Sequence, residues 1–540
     1  MAHVLVAVMG MPWRRYAEGF RSLSPVDKVL SNYFYWSSVN YAVDEYVQRA
    51  MSPVPVLYSY IASKGGAPLK TIVIVQETAV AKLPTMVADY SSILSAVEDM
   101  YREFLEWQGV GEGLEIVVAP GVGRFKNVAV REGVDTNIFV DVCGAVSDFQ
   151  YVVAMRLAKS LLEVVKSLGN GEDIVVHLDT THGLNYAPTL TRAVLLEFLT
   201  IVASYAGARN VVLRVYNSEP VAKEALKDVY NIHLVEEVRI KSENRFSTEP
   251  SIEGVEKEPR VLILNKVCVQ QDVEKIGREV SKASSEVVKS LELNDADRVN
   301  AFAGSLINGL PLLALETMPR ASLGQFVDKV LNTYTKFAVI NVCDRRSEVT
   351  INVVKQGKLH PHVKVLTKLL LAKELISMRI GKGYDYDEGV ELSTLARYVE
   401  DVLYSWSKRL RITINFDYIS IVRTLEEKKP ISLWTLFNKF TKFLKREYRI
   451  GKKPINQWTL LANFTKRDPS SECSEELKEV DRFERNFVQH SGLHSCITEV
   501  RSELREGATV YRVRYSKKVF EDLNMRKVVY GAASEGVIRI

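Results

Sequence analysis

Five runs of continuous apolar, largely β-branched residues punctuate the first 240 positions: Val4–Met9, Thr71–Gln76, Glu115–Ala119, Ile174–Asp179 and Asn210–Tyr216. Runs of this length and kind belong to strands covered on both faces, because neither side of the pleat meets water. Between them lie longer amphipathic stretches, Ser92–Gln108, Phe149–Ser167 and Pro188–Tyr205, patterned as helices that bury one face. Strands that alternate with helices in this way are parallel neighbours joined by crossovers. The sequence therefore predicts an α/β, Rossmann-like sheet for the N-terminal part.

The chain has 540 residues, so more than one hydrophobic core is expected. From Glu236 to Arg260 it turns polar and charged, with two prolines, and reads as a linker. Beyond it helical patterns dominate: Glu274–Leu291, Asp295–Leu310, Leu323–Tyr334, His362–Arg379, Ser393–Arg409 and Trp434–Arg449. Two strand-like pieces, Lys336–Cys343 and Glu348–Val354, make a candidate small hairpin inserted among these helices. The expected division is an α/β domain at 1–240, a linker at 241–260, a helical and hairpin middle region at 261–390, and a mainly α-helical C-terminal domain at 391–540.

Composition excludes more than it selects. Apolar residues at 47% and charged residues at 25% are the proportions of a folded soluble chain rather than a disordered or fibrous one. The net charge of +5 is small for this length, yet residues 401–460 hold thirteen Lys/Arg against five Asp/Glu. They interleave Trp406, Phe416, Tyr418, Trp434, Phe437, Phe440, Phe443 and Tyr448. That mixture suits phosphate contact with base stacking, and equally an amphipathic helix with its aromatics turned inward. The five cysteines, Cys143, Cys268, Cys343, Cys473 and Cys496, form no CxxC pair. Neither a disulfide framework nor a zinc ribbon is expected, and a reducing cytoplasm fits best. No basic segment precedes the apolar N-terminal residues, and the longest apolar stretch, Ala193–Ala208, is interrupted by Glu197, so neither export nor a membrane role is expected.

Four motifs carry chemistry. Val175-Val-His-Leu-Asp-Thr-Thr-His-Gly-Leu-Asn-Tyr-Ala-Pro188 is a strand running into a short polar loop and then a helix. At the carboxyl end of a parallel strand such a loop, with the helix N-terminus behind it, favours a bound phosphate. Thr180, Thr181, His182 and Asn185 would add side-chain donors, and Gly183 would permit a tight turn or a close ligand. The same residues serve equally as an N-cap and a loop histidine. The loop after the first strand, Met9-Gly10-Met11-Pro12-Trp13, would face the same crevice. A third loop, Pro120-Gly-Val-Gly-Arg-Phe125, carries a GxG fragment that is more often a turn.

The fourth motif is Arg485-Asn486-Phe-Val-Gln-His490, near the end of a helix expected from about Ser474. An arginine and a histidine can stabilise a phosphorane and move the two protons that RNA cleavage requires. Five positions on a regular helix turn about 140°, so the two side chains do not share a face unless the helix ends first or two subunits combine. His360, His362 and His494 read as surface or hydrogen-bonded histidines, and the Walker, HExxH and GxSxG patterns are absent from the sequence.

Taken together, Asp179–Pro188, the MGMPW loop, the PGVGRF loop and the distal Arg485-Asn486…His490 resemble the CARF-HEPN ribonucleases of type III CRISPR systems, of the archaeal Csx type. The resemblance implies a CARF sensor followed by a HEPN nuclease in the C-terminal domain. It implies that Gly10, Met11, Pro12, Trp13, Thr180, Thr181, His182, Gly183 and Asn185 bind a cyclic oligoadenylate, most of all cyclic tetraadenylate, across a homodimer axis. Arg485, Asn486 and His490 would then cleave single-stranded RNA, with no metal and no cofactor beyond the activator, leaving 2′,3′-cyclic phosphate ends. An oligomer of dimers is compatible with this reading. Two other readings stay open: a ligand-sensing, DNA-binding transcription regulator, and an N-terminal domain that slowly hydrolyses its own cyclic ligand through Thr180, Thr181 or His182. Large departures from the family pattern fall at 260–400, whose role the resemblance does not assign.

Overall fold

The computed structural model describes residues 1–17, 32–82, 89–131, 133–168, 172–183, 186–205, 210–221, 227–241, 263–265, 273–308, 310–345, 348–380, 388–398, 457–465, 468–480, 483–484, 487, 493–505, 508–517 and 523–534. The expected helix at 434–449, the basic stretch at 401–456 and residues 242–260 of the expected linker lie outside them.

The N-terminal half opens with β1 (Ala2–Val8), then the short pair β2 (Val39–Val43) and β3 (Tyr46–Ala50), helix α1 (Pro53–Gly65) and β4 (Lys70–Gln76). A single 3₁₀ turn, Glu77–Ala79, leads towards α2 (Tyr90–Trp107), whose N-terminus is capped by Asp89 accepting from the Ser92 amide. After β5 (Leu114–Ala119) comes a hairpin, β6 (Gly123–Arg131) and β7 (Val134–Cys143), then α3 (Val146–Ser167), β8 (Ile174–Asp179), α4 (Ala187–Tyr205), β9 (Asn210–Ser218) and β10 (Tyr230–Lys241).

All of these strands except β6 and β7 form one eight-stranded sheet in the order β3-β2-β10-β9-β8-β1-β4-β5. β5, β4, β1, β8 and β9 are parallel, and they are the five runs read from the sequence. Side chains alternate strictly between two cores. Val4, Val6 and Val8 face α3 and α4, whereas Leu5, Ala7 and Met9 face α1 and α2. Helix α4 is apolar enough to span a bilayer by composition, but it packs on the sheet and most of its apolar residues are buried there.

Two features depart from expectation. The polar text at Glu236–Lys241 is not linker but the end of β10, antiparallel to β9. Its charges are partnered: Arg192 pairs with Glu236, and Glu237 bridges Arg214 and Arg239. The segment after Pro120 is the start of a long hairpin rather than an isolated turn.

The second half contains β11 (Ile263–Asn265), α5 (Val273–Ser290), α6 (Ala296–Asn308), α7 (Pro311–Thr317) and α8 (Leu323–Lys336), the last closed by a Ser322/Gln325 capping box. The hairpin expected here exists as β12 (Ala338–Arg345) and β13 (Glu348–Lys355). It is not an isolated insertion: β13 pairs in parallel with β7, making a four-stranded sheet β12-β13-β7-β6 shared by both halves of the chain. Val349, Ile351 and Val353 thereby enter the core under α2. β14 (Gly357–Leu359) and α9 (His362–Ile380) follow.

The C-terminal part is more β than expected. β15 (Val390–Glu391), α10 (Leu392–Tyr398), β16 (Thr459–Leu460), α11 (Ala462–Thr465), α12 (Pro469–Lys478), β17 (Thr498–Arg505), β18 (Ala508–Tyr515) and α13 (Leu523–Ser534) include a second four-stranded sheet, β15-β18-β17-β16. Alternating charges on this hairpin pair across strands, Glu499 with Arg514 and Glu503 with Arg512. Cys473 on α12 is bonded to Cys496 just before β17, with Cα atoms 5.5 Å apart, and Cys143 is also disulfide-bonded. The expectation of no disulfide is corrected: residues 23 positions apart in sequence meet because α12 packs against the start of β17.

Candidate functional site

The carboxyl edge of the five parallel strands carries the loops singled out above. A cavity of about 250 Å³ opens there, between the ends of β1 and β4. Val8 to Met11 form one wall, Gln76, Thr78 and Ala79 a second, and Phe125 to Asn127 of β6 a third. Phe149 in the first turn of α3 and Ala187 at the start of α4 close it. Two helix N-termini thus meet a chamber lined by thioether, aromatic and amide groups, with Lys126 among its lining residues. Such a chamber can stack a nucleobase and place a phosphate near helix amides.

Gly10 and Met11, expected at the ligand, line this cavity. The loop after β8 is its neighbour rather than its wall, and the two loops are joined directly: the Gly10 amide donates to the His182 carbonyl at 2.6 Å. Tyr101 fixes the other side of the turn, its hydroxyl donating to the Gly10 carbonyl at 2.9 Å.

The hydroxyls of the loop are engaged within the protein. Thr180 donates from both its amide and its Oγ1 to the Tyr216 carbonyl, at 3.0 and 2.9 Å. Thr181 donates from its amide and Oγ1 to Asp179 Oδ1, at 3.0 and 2.6 Å, and its Oγ1 accepts from the Ser218 amide. Their first role is to latch the loop to β9. Asp179 is fully buried, its Oδ2 lacks a hydrogen-bond partner, and burial pushes its carboxyl up to about 6. The His182 ring stacks on Trp36, and burial takes it down to about 4, so it is neutral at neutral pH.

Two of the residues expected at the ligand are packed within the protein. Trp13 is 2% exposed and lies in the core, ringed by Tyr16, Phe34, Tyr101 and Phe104 at 5.2–5.9 Å, where it anchors the loop. Pro12 is buried beside it. Gly183 has no room for a side chain: a Cβ there would meet Pro188 Cγ at 2.2 Å, so the glycine lets the start of α4 pack close to the loop. Sequence reasoning missed Gln76, Thr78, Lys126 and Asn127. The polar step Gln76-Glu-Thr78 at the end of an apolar run was the available signal.

Sequence comparison bears on the same part of the chain. A family model described as "CRISPR system endoribonuclease Csx1, CARF domain" matches residues 24–220. Residues 24–220 are therefore similar to the CARF domain of Csx1-type proteins. A protein described as "CRISPR system endoribonuclease Csx1", from Methanocaldococcus jannaschii, is 28% identical over 324 residues, 57% of this chain and 61% of its own length. The chain therefore spans about three-fifths of the relative it matches. The cavity and both loops, except Val8 to Trp13, lie within the span that the CARF model covers.

Asn185 of the loop after β8 and Arg485, Asn486 and His490 lie outside the described residues. Around the distal motif, Phe483 and Phe487 are fully buried and stack at 5.7 Å. His494 is buried against Phe483, with Nε2 3.1 Å from Glu476 Oε1. It is thus a hydrogen-bonded histidine, as read from the sequence.

Proposed function

We propose that the chain is a ribonuclease of CRISPR antiviral defence, switched on by a cyclic oligoadenylate, most of all cyclic tetraadenylate. The observation that carries the reading is the cavity at the carboxyl edge of the CARF sheet, in one chain with Arg485, Asn486 and His490. At about 250 Å³ the cavity suits one nucleotide unit rather than a whole ring. A symmetric ring then sits across the axis of a homodimer, each protomer giving the same loops to an equivalent part of it. Gly10, Met11, Gln76, Thr78 and Asn127 receive the nucleotide, and the latched Thr180–Gly183 loop holds the Gly10 turn in place.

In the HEPN part, Arg485 stabilises charge on the scissile phosphate, His490 moves the proton of the 2′-hydroxyl or the leaving oxygen, and Asn486 orients the phosphate. Single-stranded RNA suits this chemistry because its backbone can align the two oxygens. The activator drives cleavage only by binding the active arrangement more tightly than the inactive one. Calorimetry with rings of three, four and six adenylates, and end analysis of the RNA products, test the reading. Selective binding of one ring and 2′,3′-cyclic phosphate ends support it; binding of none, or 3′-hydroxyl products, overturns it.

A further inference from the structure

Directly behind the wall of the cavity lies a cluster of polar groups withdrawn from water. Glu77 follows Gln76 and precedes Thr78, both of which line the cavity, but its own side chain turns away and is fully buried. Its Oε1 lies 2.5 Å from Lys355 Nζ, and its Oε2 accepts from the Gly121 amide at 2.5 Å. The Lys355 ammonium also lies 5.1 Å from the centre of the Tyr90 ring and 5.8 Å from that of Tyr334. Tyr334 donates to Asp148 Oδ2 at 2.9 Å, and Asp148 Oδ1 accepts from the Leu359 amide at 2.9 Å. Asp148 adjoins Phe149, another residue of the cavity wall.

Every group in this cluster comes from one of two places. Glu77, Tyr90, Gly121 and Asp148 belong to the CARF domain, on the turn, the loop and the helix start that bound the cavity. Lys355, Tyr334 and Leu359 belong to β13, α8 and β14 of the middle region. An apolar contact would hold the two parts together as well, because desolvation offsets most of the attraction in a buried ion pair. An ion pair and charge-assisted hydrogen bonds add direction: a shift of the Glu77 turn by about an ångström leaves a buried cation unpaired unless β13 follows. Packed interfaces of this kind hold discrete arrangements rather than deforming continuously.

We propose that Lys355 and Tyr334 are positioning residues of the CARF cavity that carry its occupancy into the middle region, by tying the Glu77 turn and the start of α3 to β13, α8 and β14. This gives residues 323–359 a role that neither the sequence motifs nor the resemblance supplied. It rests on the reading of the cavity as the activator site.

The test compares the full-length wild type with Tyr334→Phe, which removes one hydroxyl, and with the double variant Glu77→Gln/Lys355→Met, which leaves neither charge buried alone. Thermal melting reports folding, calorimetry reports cyclic tetraadenylate binding, and RNA cleavage is measured with and without it. Hydrogen exchange follows α8 and β13. In the wild type, exchange in α8 and β13 changes on binding. In the variants unstimulated cleavage is unchanged and the activator still binds, but stimulation falls by about tenfold or more and the exchange change is lost. Folded variants that bind and keep stimulation within about twofold of wild type overturn the relay alone. If the double variant does not fold, Tyr334→Phe decides. A wild type that binds no ring overturns the activator reading, and the relay with it.

Discussion

The imidazole of His182 lies flat on the indole of Trp36, with ring centroids 3.9 Å apart and planes 16° from parallel. This stack ties the loop after β8 to the segment entering β2, and the His182 carbonyl in turn holds Gly10 at the cavity. A stacked aromatic pair contributes about 0.5–1.5 kcal/mol beyond burial. Trp36→Ala should therefore lower the melting temperature and weaken cyclic tetraadenylate binding by up to about tenfold, whereas Trp36→Phe should stay near wild type. Calorimetry on both variants checks this, and equal losses in the two would contradict it.

Gly183→Ala probes the same loop from below. With Pro188 Cγ 2.2 Å from the new methyl, either the loop or the first turn of α4 must move. Overpacking of this kind costs about 1–3 kcal/mol. A denaturant melt should show that loss together with weaker activator binding; an unchanged midpoint would refute the packing argument.

The pH dependence of stability separates two buried groups of opposite sign. His177 bonds to His3 and Tyr216, and burial takes it down to about 3, against an ordinary 6.5 in the unfolded chain. The unfolded chain binds the extra proton first, so this contribution is full above pH 6.5 and is lost as pH falls towards 3. His182, at about 4, acts in the same direction. Asp179, raised from 3.8 to about 6, acts oppositely: its folded form holds a proton that the unfolded chain releases, so its contribution is lost as pH rises through that window. Melting temperatures between pH 4 and 7 should fall on acidification. The fall should shrink in His177→Phe and steepen in Asp179→Asn.

The Cys473–Cys496 bond encloses the span that contains Arg485, Asn486 and His490. Closing a loop of 23 residues restrains the unfolded chain by about 3 kcal/mol in the chain-entropy model. Cys473→Ala/Cys496→Ala should lower stability and RNA cleavage while leaving activator affinity unchanged, as calorimetry and cleavage assays on one preparation would show. Loss of activator binding in that variant would place the effect elsewhere.

What the sequence reveals follows from where water is excluded. The five parallel strands and helices α2, α3 and α4 were legible because burial on defined faces writes continuous or helical apolar patterns. β6–β7 and β17–β18 were not, since one face of each keeps charged residues. In the second hairpin those charges are cross-strand pairs such as Glu499 with Arg514, which in one dimension look like polar surface. The Gly10 turn was legible as a loop at the carboxyl edge of the sheet, where it lines the cavity. Trp13 was not legible as a core residue, because Phe34, Tyr101 and Phe104, which surround it, are distant in sequence. Glu77 and Lys355 carried no signal of their pairing, being 278 positions apart.

The most direct measurement is single-stranded RNA cleavage by the full chain in EDTA, with and without cyclic tetraadenylate. Little cleavage is expected alone, with stimulation of about tenfold or more by the ring and loss of about a hundredfold or more in His490→Ala. Cleavage that ignores the ring, that disappears in EDTA, or that survives His490→Ala at full rate would contradict this reading.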